Sequence, residues 1–189
     1  MKVSPVGKNL SEVERAYIAG FLDGDGAIMA TIEKHREKKF GFRVRTSIKI
    51  TQKDPAVLRW LVSRVKAGNL RSNRTTYDWL VRNQDHVKIL LTILLPHLRV
   101  KRRQAKSVLK ILNTKSTTAV QFLKLAQSAD ALSKFNVRSK NRRRNSAVMI
   151  QESFSRNDWF VSFWRYDEIE VLQLKLELLS HGSHLKRVW

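Results

Sequence analysis

The segment AYIAGFLDGDG, residues 16–26, ends in two acids, Asp23 and Asp25, separated by one glycine. They fall where a helix would end, and there the macrodipole disfavours negative charge. Acids are scarce in this chain, yet two gather where they destabilise. Carboxylates at the negative end of a helix attract a cation, and hard divalent ions such as Mg2+ take carboxylate and backbone carbonyl oxygens. The same segment places Ala16, Gly20 and Gly24 at i, i+4 and i+8, one smooth stripe. Glycine inside a helix costs about 1 kcal/mol against alanine. That cost makes sense where another backbone must come very close. Asp-Gly pairs are also ordinary turn chemistry, so spacing alone leaves open a helix stop with solvated aspartates.

A second chemical signal follows. Phe42, Val44, Thr46, Ile48 and Ile50 alternate with Arg43, Arg45, Ser47 and Lys49. A strand puts these two sets on opposite faces. Three cations on one face repel one another unless an anion lies against them. A sheet with one apolar and one basic face suits the major groove of DNA, which admits a β-ribbon. On the preceding strand Met29, Thr31 and Glu33 share the outward face, where Glu33 either accepts from cytosine or pairs with an arginine. Arg71, Asn73 and Arg74 add a second basic hairpin.

The elements that must hold these residues are legible from pattern. Ser11 and Glu14 form a capping box, so a helix starts at Glu12 and stops at Gly24 as a left-handed cap. Residues 27–34 and 40–51 alternate as a hairpin with a charged turn at His35–Lys39. Asp54-Pro55 opens a helix that stops at Gly68. Residues 69–73 and 76–82 form a shorter hairpin with Tyr77, Trp79 and Val81 on one face. Helices follow over 85–95, ended by Pro96, then 101–113 and 118–134. Residues 138–145 are a basic loop and 146–155 a short helix. Helices and hairpins in one unit indicate an α+β domain.

Composition narrows the partner. Lys and Arg total 37 against 16 Asp and Glu, a formal net charge of +21 in 189 residues. Such a surplus repels itself unless a polyanion offsets it, and nucleic acid is the usual one. A membrane is not the expected partner, since no apolar run reaches the roughly 18 residues of a spanning helix. Cysteine is absent, which excludes disulfides and thiolate chemistry. The N-terminus has no apolar signal core. The expectation is a protein that acts in the compartment where it is made and is not secreted.

AYIAGFLDGDG resembles the signature of the LAGLIDADG homing endonucleases. KITQKD at 49–54, GNLRS at 68–72 and LRVKRRQAK at 98–106 resemble, in sequence and order, the single-motif, homodimeric, intron-encoded members. The resemblance spans roughly residues 12–150. It implies a mixed αββαββα domain over 11–150, with a saddle-shaped antiparallel DNA-binding sheet backed by helices. Residues 151–189 are then an unassigned C-terminal extension. It implies two such helices packed through Ala16, Gly20 and Gly24 at a dimer interface. Asp25 matches the metal-binding aspartate and Gly24 a backbone carbonyl ligand; Asp23 matches an earlier acid that is not the principal ligand. Gln52 matches a water-holding residue and Lys101 a charge-stabilising one, beside Arg99, Arg102, Arg103 and Lys106. Lys140, Arg142, Arg143 and Arg144 match a loop that contacts phosphates. One departure is Ala56, four positions after Gln52, where homodimeric relatives carry a basic residue; Arg59 lies one turn on.

The implied function is metal-dependent double-strand cleavage of a long pseudo-palindromic DNA target, promoting intron mobility. The implied cofactor is Mg2+, with Mn2+ substituting and Ca2+ supporting binding without cleavage. The same basic surface would serve an RNA-binding intron maturase. A catalytically dead regulator is disfavoured by the presence of Asp25, Gln52 and Lys101 together.

Overall fold

The computed structural model describes residues 4–136, 147, 148 and 150. Nine elements run in the order α1 (Glu12–Asp25), β1 (Gly26–Lys34), β2 (Phe42–Gln52), α2 (Ala56–Val65), β3 (Asn69–Asn73), β4 (Thr76–Val81), α3 (Gln84–Leu94), α4 (Arg102–Asn113) and α5 (Ala119–Ser133). The α+β class and the αββαββα order expected from the sequence are both present.

α1 begins as its capping box requires. Ser11 Oγ accepts from the Glu14 N–H at 3.3 Å, and Glu14 accepts from the Ser11 N–H at 2.9 Å. The expected stop at Gly24 is corrected. Gly24 is helical, the helix continues to Asp25, and the cap is Gly26 in extended conformation. A side chain at Gly26 would strike Leu22, including its carbonyl oxygen at 2.6 Å. The glycine therefore permits a helix to pass straight into a strand with no loop between them.

Glu14 also ties α1 to α2. Arg64 donates through Nε to Glu14 Oε1 at 2.6 Å and through Nη2 to Oε2 at 2.9 Å. The Arg64 guanidinium, and after it the Ser11 N–H, hold the Glu14 carboxyl down at about 2, below the ordinary 4.5. A depressed carboxyl stabilises the fold fully above its unfolded value, and that contribution is lost as pH falls through the folded value. Glu14→Gln should therefore unfold more easily than the parent at neutral pH. The difference should shrink as pH is lowered from 4.5 towards 2. Urea unfolding across that range measures it, and a gap that does not narrow would contradict the pairing.

The four strands form one antiparallel sheet ordered β1-β2-β4-β3. Ile28, Ile48, Ile50, Trp79 and Val81 are fully buried on its inner face. All five helices pack against that face, through Ile18, Leu22, Leu58, Leu90, Leu94 and Val108 among others. A smaller cluster joins Phe40 and Phe42 to Phe122, Ala126, Ala147 and Ile150 beneath the β1–β2 end.

Boundaries differ from the sequence reading in explicable ways. α2 stops at Val65 because Lys66, not Gly68, takes the left-handed turn at φ 57. Gly68 is left-handed too, at φ +82, and a Cβ there would lie 2.5 Å from Trp79 Nε1. Its role is close packing under β4. Pro55 is the N-cap of α2 and not its first helical residue, and Asp54 accepts from the Ala56 N–H at 2.8 Å across it. Of the expected short helix at 146–155, residues 147, 148 and 150 are helical, and the rest lie outside the described residues. No helix among the described residues is long and apolar enough to cross a membrane.

Candidate nucleic-acid interface and catalytic centre

The pairing register explains why Asp25 and Gln52 meet. Gly26 lies opposite Ile50 in the β1–β2 ladder. One step further along the same register brings the last turn of α1 beside Thr51 and Gln52. Gln52 Nε2 donates to Asp25 Oδ2 at 2.6 Å. Asp25 is exposed, and its other oxygen accepts no bond among the described residues. Gly24 is exposed beside it, in the final turn where helix carbonyls lack intrahelical partners.

Asp23 departs from the reading that pairs it with Asp25. Residues two apart on a helix do not face each other, and the two carboxylates have separate partners. Asp23 Oδ2 accepts from the Arg99 and Val100 N–H groups at 2.6 and 3.1 Å, and Oδ1 accepts from the Lys101 N–H at 2.8 Å. Lys101 in turn donates through Nζ to the main-chain carbonyl of Asp23. The half-buried Lys101 is thus fixed at the end of α1, at the head of α4.

The small-residue stripe has no close neighbour among the described residues. Ala16, Gly20 and Gly24 are all exposed, and a Cβ added at Gly20 or Gly24 meets nothing within 4 Å. Contacts inside the subunit therefore do not require glycine at these positions.

The outward face of the sheet is built as the alternation predicts. Ala27, Met29, Thr31 and Glu33 stand opposite Lys49, Ser47, Arg45 and Arg43. Arg43 donates to Glu33 Oε2 through Nε and Nη2 at 3.0 and 2.9 Å, and Arg45 Nη1 lies 3.6 Å from the same oxygen. Of the two roles open to Glu33, pairing with arginine is the one present. These side chains are about one-third exposed, so the pairing adds little stability. Its effect is to restrict two long side chains to one arrangement. Ser47 lies on this face but is only 8% exposed, which leaves it little surface to offer. Arg71 and Asn73 extend the face on β3, and Arg74 sits in the hairpin turn with φ 53. Lys140, Arg142, Arg143 and Arg144 lie outside the described residues. Ala56 and Arg59 are both exposed on α2.

The sequence reading missed Asp78. It is buried, 9% exposed, in the middle of the basic face. It accepts from Thr51 Oγ1 at 2.5 Å and Asn73 Nδ2 at 3.2 Å, with Lys49 Nζ at 3.8 Å. A signal existed: in the alternation of β4, Asp78 falls on the face opposite Trp79, where an acid among cations needs a reason. Also missed was Gln84, whose side chain accepts from the Thr46 N–H and hydroxyl at 3.0 and 2.8 Å and donates to its carbonyl at 3.0 Å. It satisfies the buried Thr46 on the inner face.

Comparison with known proteins agrees with this architecture. The sequence model of the LAGLIDADG endonuclease family matches residues 18–112. DNA endonuclease I-CreI of Chlamydomonas reinhardtii is 31% identical over 140 residues, covering 70% of this chain and 84% of the relative. DNA endonuclease I-CvuI of Chlorella vulgaris is 30% identical over 116 residues, covering 58% of this chain and 72% of the relative. A crystal structure of I-CvuI with the I-CreI target and Mg2+ superposes with a TM-score of 0.68 at 28% identity, covering 77% of this chain and 94% of that one.

Proposed function

The chain belongs to the LAGLIDADG endonuclease family and is a DNA endonuclease of the homing type; we propose that two copies pair through α1 and share one metal-dependent cleavage centre. The observation that carries this reading is the end of α1. It presents an exposed carboxylate held by Gln52, on the same helix as a glycine stripe that nothing among the described residues covers. Among the described residues no group of three or more His, Asp or Glu side chains could hold a metal. In this reading one copy supplies one Asp25 carboxylate, and isologous pairing completes the centre by bringing a second Asp25 to the twofold axis.

The donor set fits a hard divalent cation. Asp25 offers a carboxylate oxygen, and Gly24 offers a carbonyl at the negative end of the helix. The relative I-CvuI was crystallised on DNA in the presence of Mg2+, with the DNA uncleaved, and in the presence of Ca2+, which supports a divalent cation; the roles proposed here are Mg2+ for cleavage, Mn2+ in its place and Ca2+ for binding alone. When bound, the ion lowers the barrier by stabilising charge on the attacking and leaving oxygens. Gln52 orients Asp25 and, through its carbonyl oxygen, can hold a water. Lys101 places a cation beside the helix end, where charge grows on the phosphate. Arg43, Arg45, Lys49 and Arg71 face the duplex from the sheet. Arginine to guanine is the commonest base contact made in the major groove. A symmetric dimer reads a pseudo-palindromic site; residues 11–150 form the endonuclease domain in this reading and 151–189 an unassigned extension.

The direct test is cleavage. Purified protein with Mg2+ should linearise a plasmid carrying the intron-free host gene and leave one carrying the intron-interrupted gene intact. Tight intron RNA binding with no DNA cleavage would favour the maturase reading instead.

Asp78 gives an independent check on the sheet. Asp78→Ala removes the acceptor for Thr51 and Asn73, so it should cost about 1–3 kcal/mol of stability. It also frees Lys49 and adds one net positive charge, so affinity for non-specific duplex should rise. If Lys49 then meets a phosphate, the salt slope should steepen by about 0.9. Urea unfolding and a salt titration of binding measure both. Weaker non-specific binding would contradict placing Asp78 on the DNA-facing side.

A further inference from the structure

We propose that Asp23 is a positioning residue for catalysis: its carboxylate gathers the backbone N–H groups of Arg99, Val100 and Lys101 and so sets Lys101 at the cleavage centre. The proposal rests on the shared-site reading above. Three consecutive N–H groups converging on one anion form a nest, a geometry that binds negative charge strongly. Here the anion belongs to the protein, at distances of 2.6, 3.1 and 2.8 Å. The nest lies 76 to 78 residues from Asp23 in sequence, so it is a tertiary clamp and not a local turn.

The clamp has a second half. The Asp23 main-chain carbonyl belongs to the last turn of α1, where carbonyls lack helical partners. Lys101 Nζ supplies that partner. One residue thus holds the backbone of Lys101 with its side chain and the ammonium of Lys101 with its main chain. Lys101 heads α4 with no side-chain cap, and Asp23 is the side chain that gathers the three N–H groups entering that helix. This also accounts for an acid where the helix dipole disfavours one: three N–H donors offset the cost.

If Asp23 acts through Lys101, its loss should matter only while Lys101 is present. Single-turnover cleavage with Mg2+, under saturating protein, is compared for the parent, Asp23→Ala, Lys101→Ala and the double variant. Asp23→Ala and Lys101→Ala should each lower the rate, Lys101→Ala by about 10²-fold, as for one lost charge-stabilising donor. In the Lys101→Ala background, Asp23→Ala should lower the rate by less than about two-fold, since residues acting as a unit are not additive. Affinity measured in Ca2+ should stay within about three-fold, because neither side chain is placed on the base-reading sheet.

Asp23→Asn keeps one acceptor oxygen and should fall between parent and Asp23→Ala, which serves if the alanine variant folds poorly. Amide exchange at Arg99–Lys101 should quicken in the Asp23 variants while the sheet is unchanged. Equal factors from Asp23→Ala with and without Lys101, or a loss confined to binding, would overturn the proposal. Absence of cleavage by the parent would instead count against the endonuclease reading itself.

Discussion

Asp25→Asn is expected to bind target DNA as the parent does and to cut it at least about 10³-fold more slowly. The magnitude follows from what the carboxylate is asked to do. A catalytic cation supplies several kcal/mol of transition-state stabilisation, and about 4 kcal/mol corresponds to roughly 10³ in rate. Asparagine is nearly the same size and retains an acceptor for Gln52 Nε2, now placed 2.6 Å from Asp25 Oδ2. It lacks the charge that holds a hard cation. The base-reading face, from Arg43 to Lys49 on β2 and Arg71 on β3, is untouched by the change. Plasmid linearisation and Ca2+-supported gel shifts separate the two effects. Cutting at the parental rate would remove Asp25 from the mechanism, and loss of binding would show that the change acts on docking.

Gly20→Leu should be the other large effect, and it separates assembly from folding. In the single chain Gly20 is exposed and a side chain there meets nothing within 4 Å. Leucine is a better helix former than glycine by about 0.8 kcal/mol, so the isolated subunit should melt no lower than the parent. Between two α1 helices the result reverses. Interaxial distance depends on the side chains at the contact, and a leucine at the seam pushes the helices apart. The two Asp25 tips then separate. Cleavage should fall by more than about 10²-fold, as for other displacements of reacting groups by about 1 Å. Sedimentation with DNA should show a weakened or absent dimer. Gly20→Ala should show the same trend more weakly. A leucine variant that cuts both strands normally would rule out close pairing through this stripe.

Much of this was readable from residue order because the local signals and the fold agree. The capping box at Ser11, the alternation in residues 42–50 and the Asp54-Pro55 pair each specify the element that is present. The polar partners were harder. Asp23 looked like half of an acidic pair because its neighbours in sequence are Gly24 and Asp25. Its actual partners are 76 to 78 residues away, and no periodicity reports them. Asp78 was hidden in a strand recognised by its apolar side, Tyr77, Trp79 and Val81. Its meaning appears only when the register sets Thr51 and Arg71 beside it. Gly24 was misread as a left-handed stop because a helix that feeds a strand without a loop has no distinct sequence signature; the required glycine is Gly26, for a steric reason visible only in three dimensions. Family likeness assigned Gln52 and Asp25 to one site but did not give the contact between them. The residues alone do not give it, since it depends on the β1–β2 ladder continuing past Gly26.

The claim on which all of this turns is that two Asp25 carboxylates, one from each copy, hold cations at a shared centre beside the scissile phosphates. The most direct test is a crystal of the protein with its target DNA and Mn2+, with the metal located by anomalous scattering. The account predicts two copies per duplex and metal peaks about 2.0–2.6 Å from Asp25 oxygens of both copies, next to the phosphates that are cut. Peaks bound elsewhere, or two Asp25 residues held apart on opposite sides of the assembly, would contradict it.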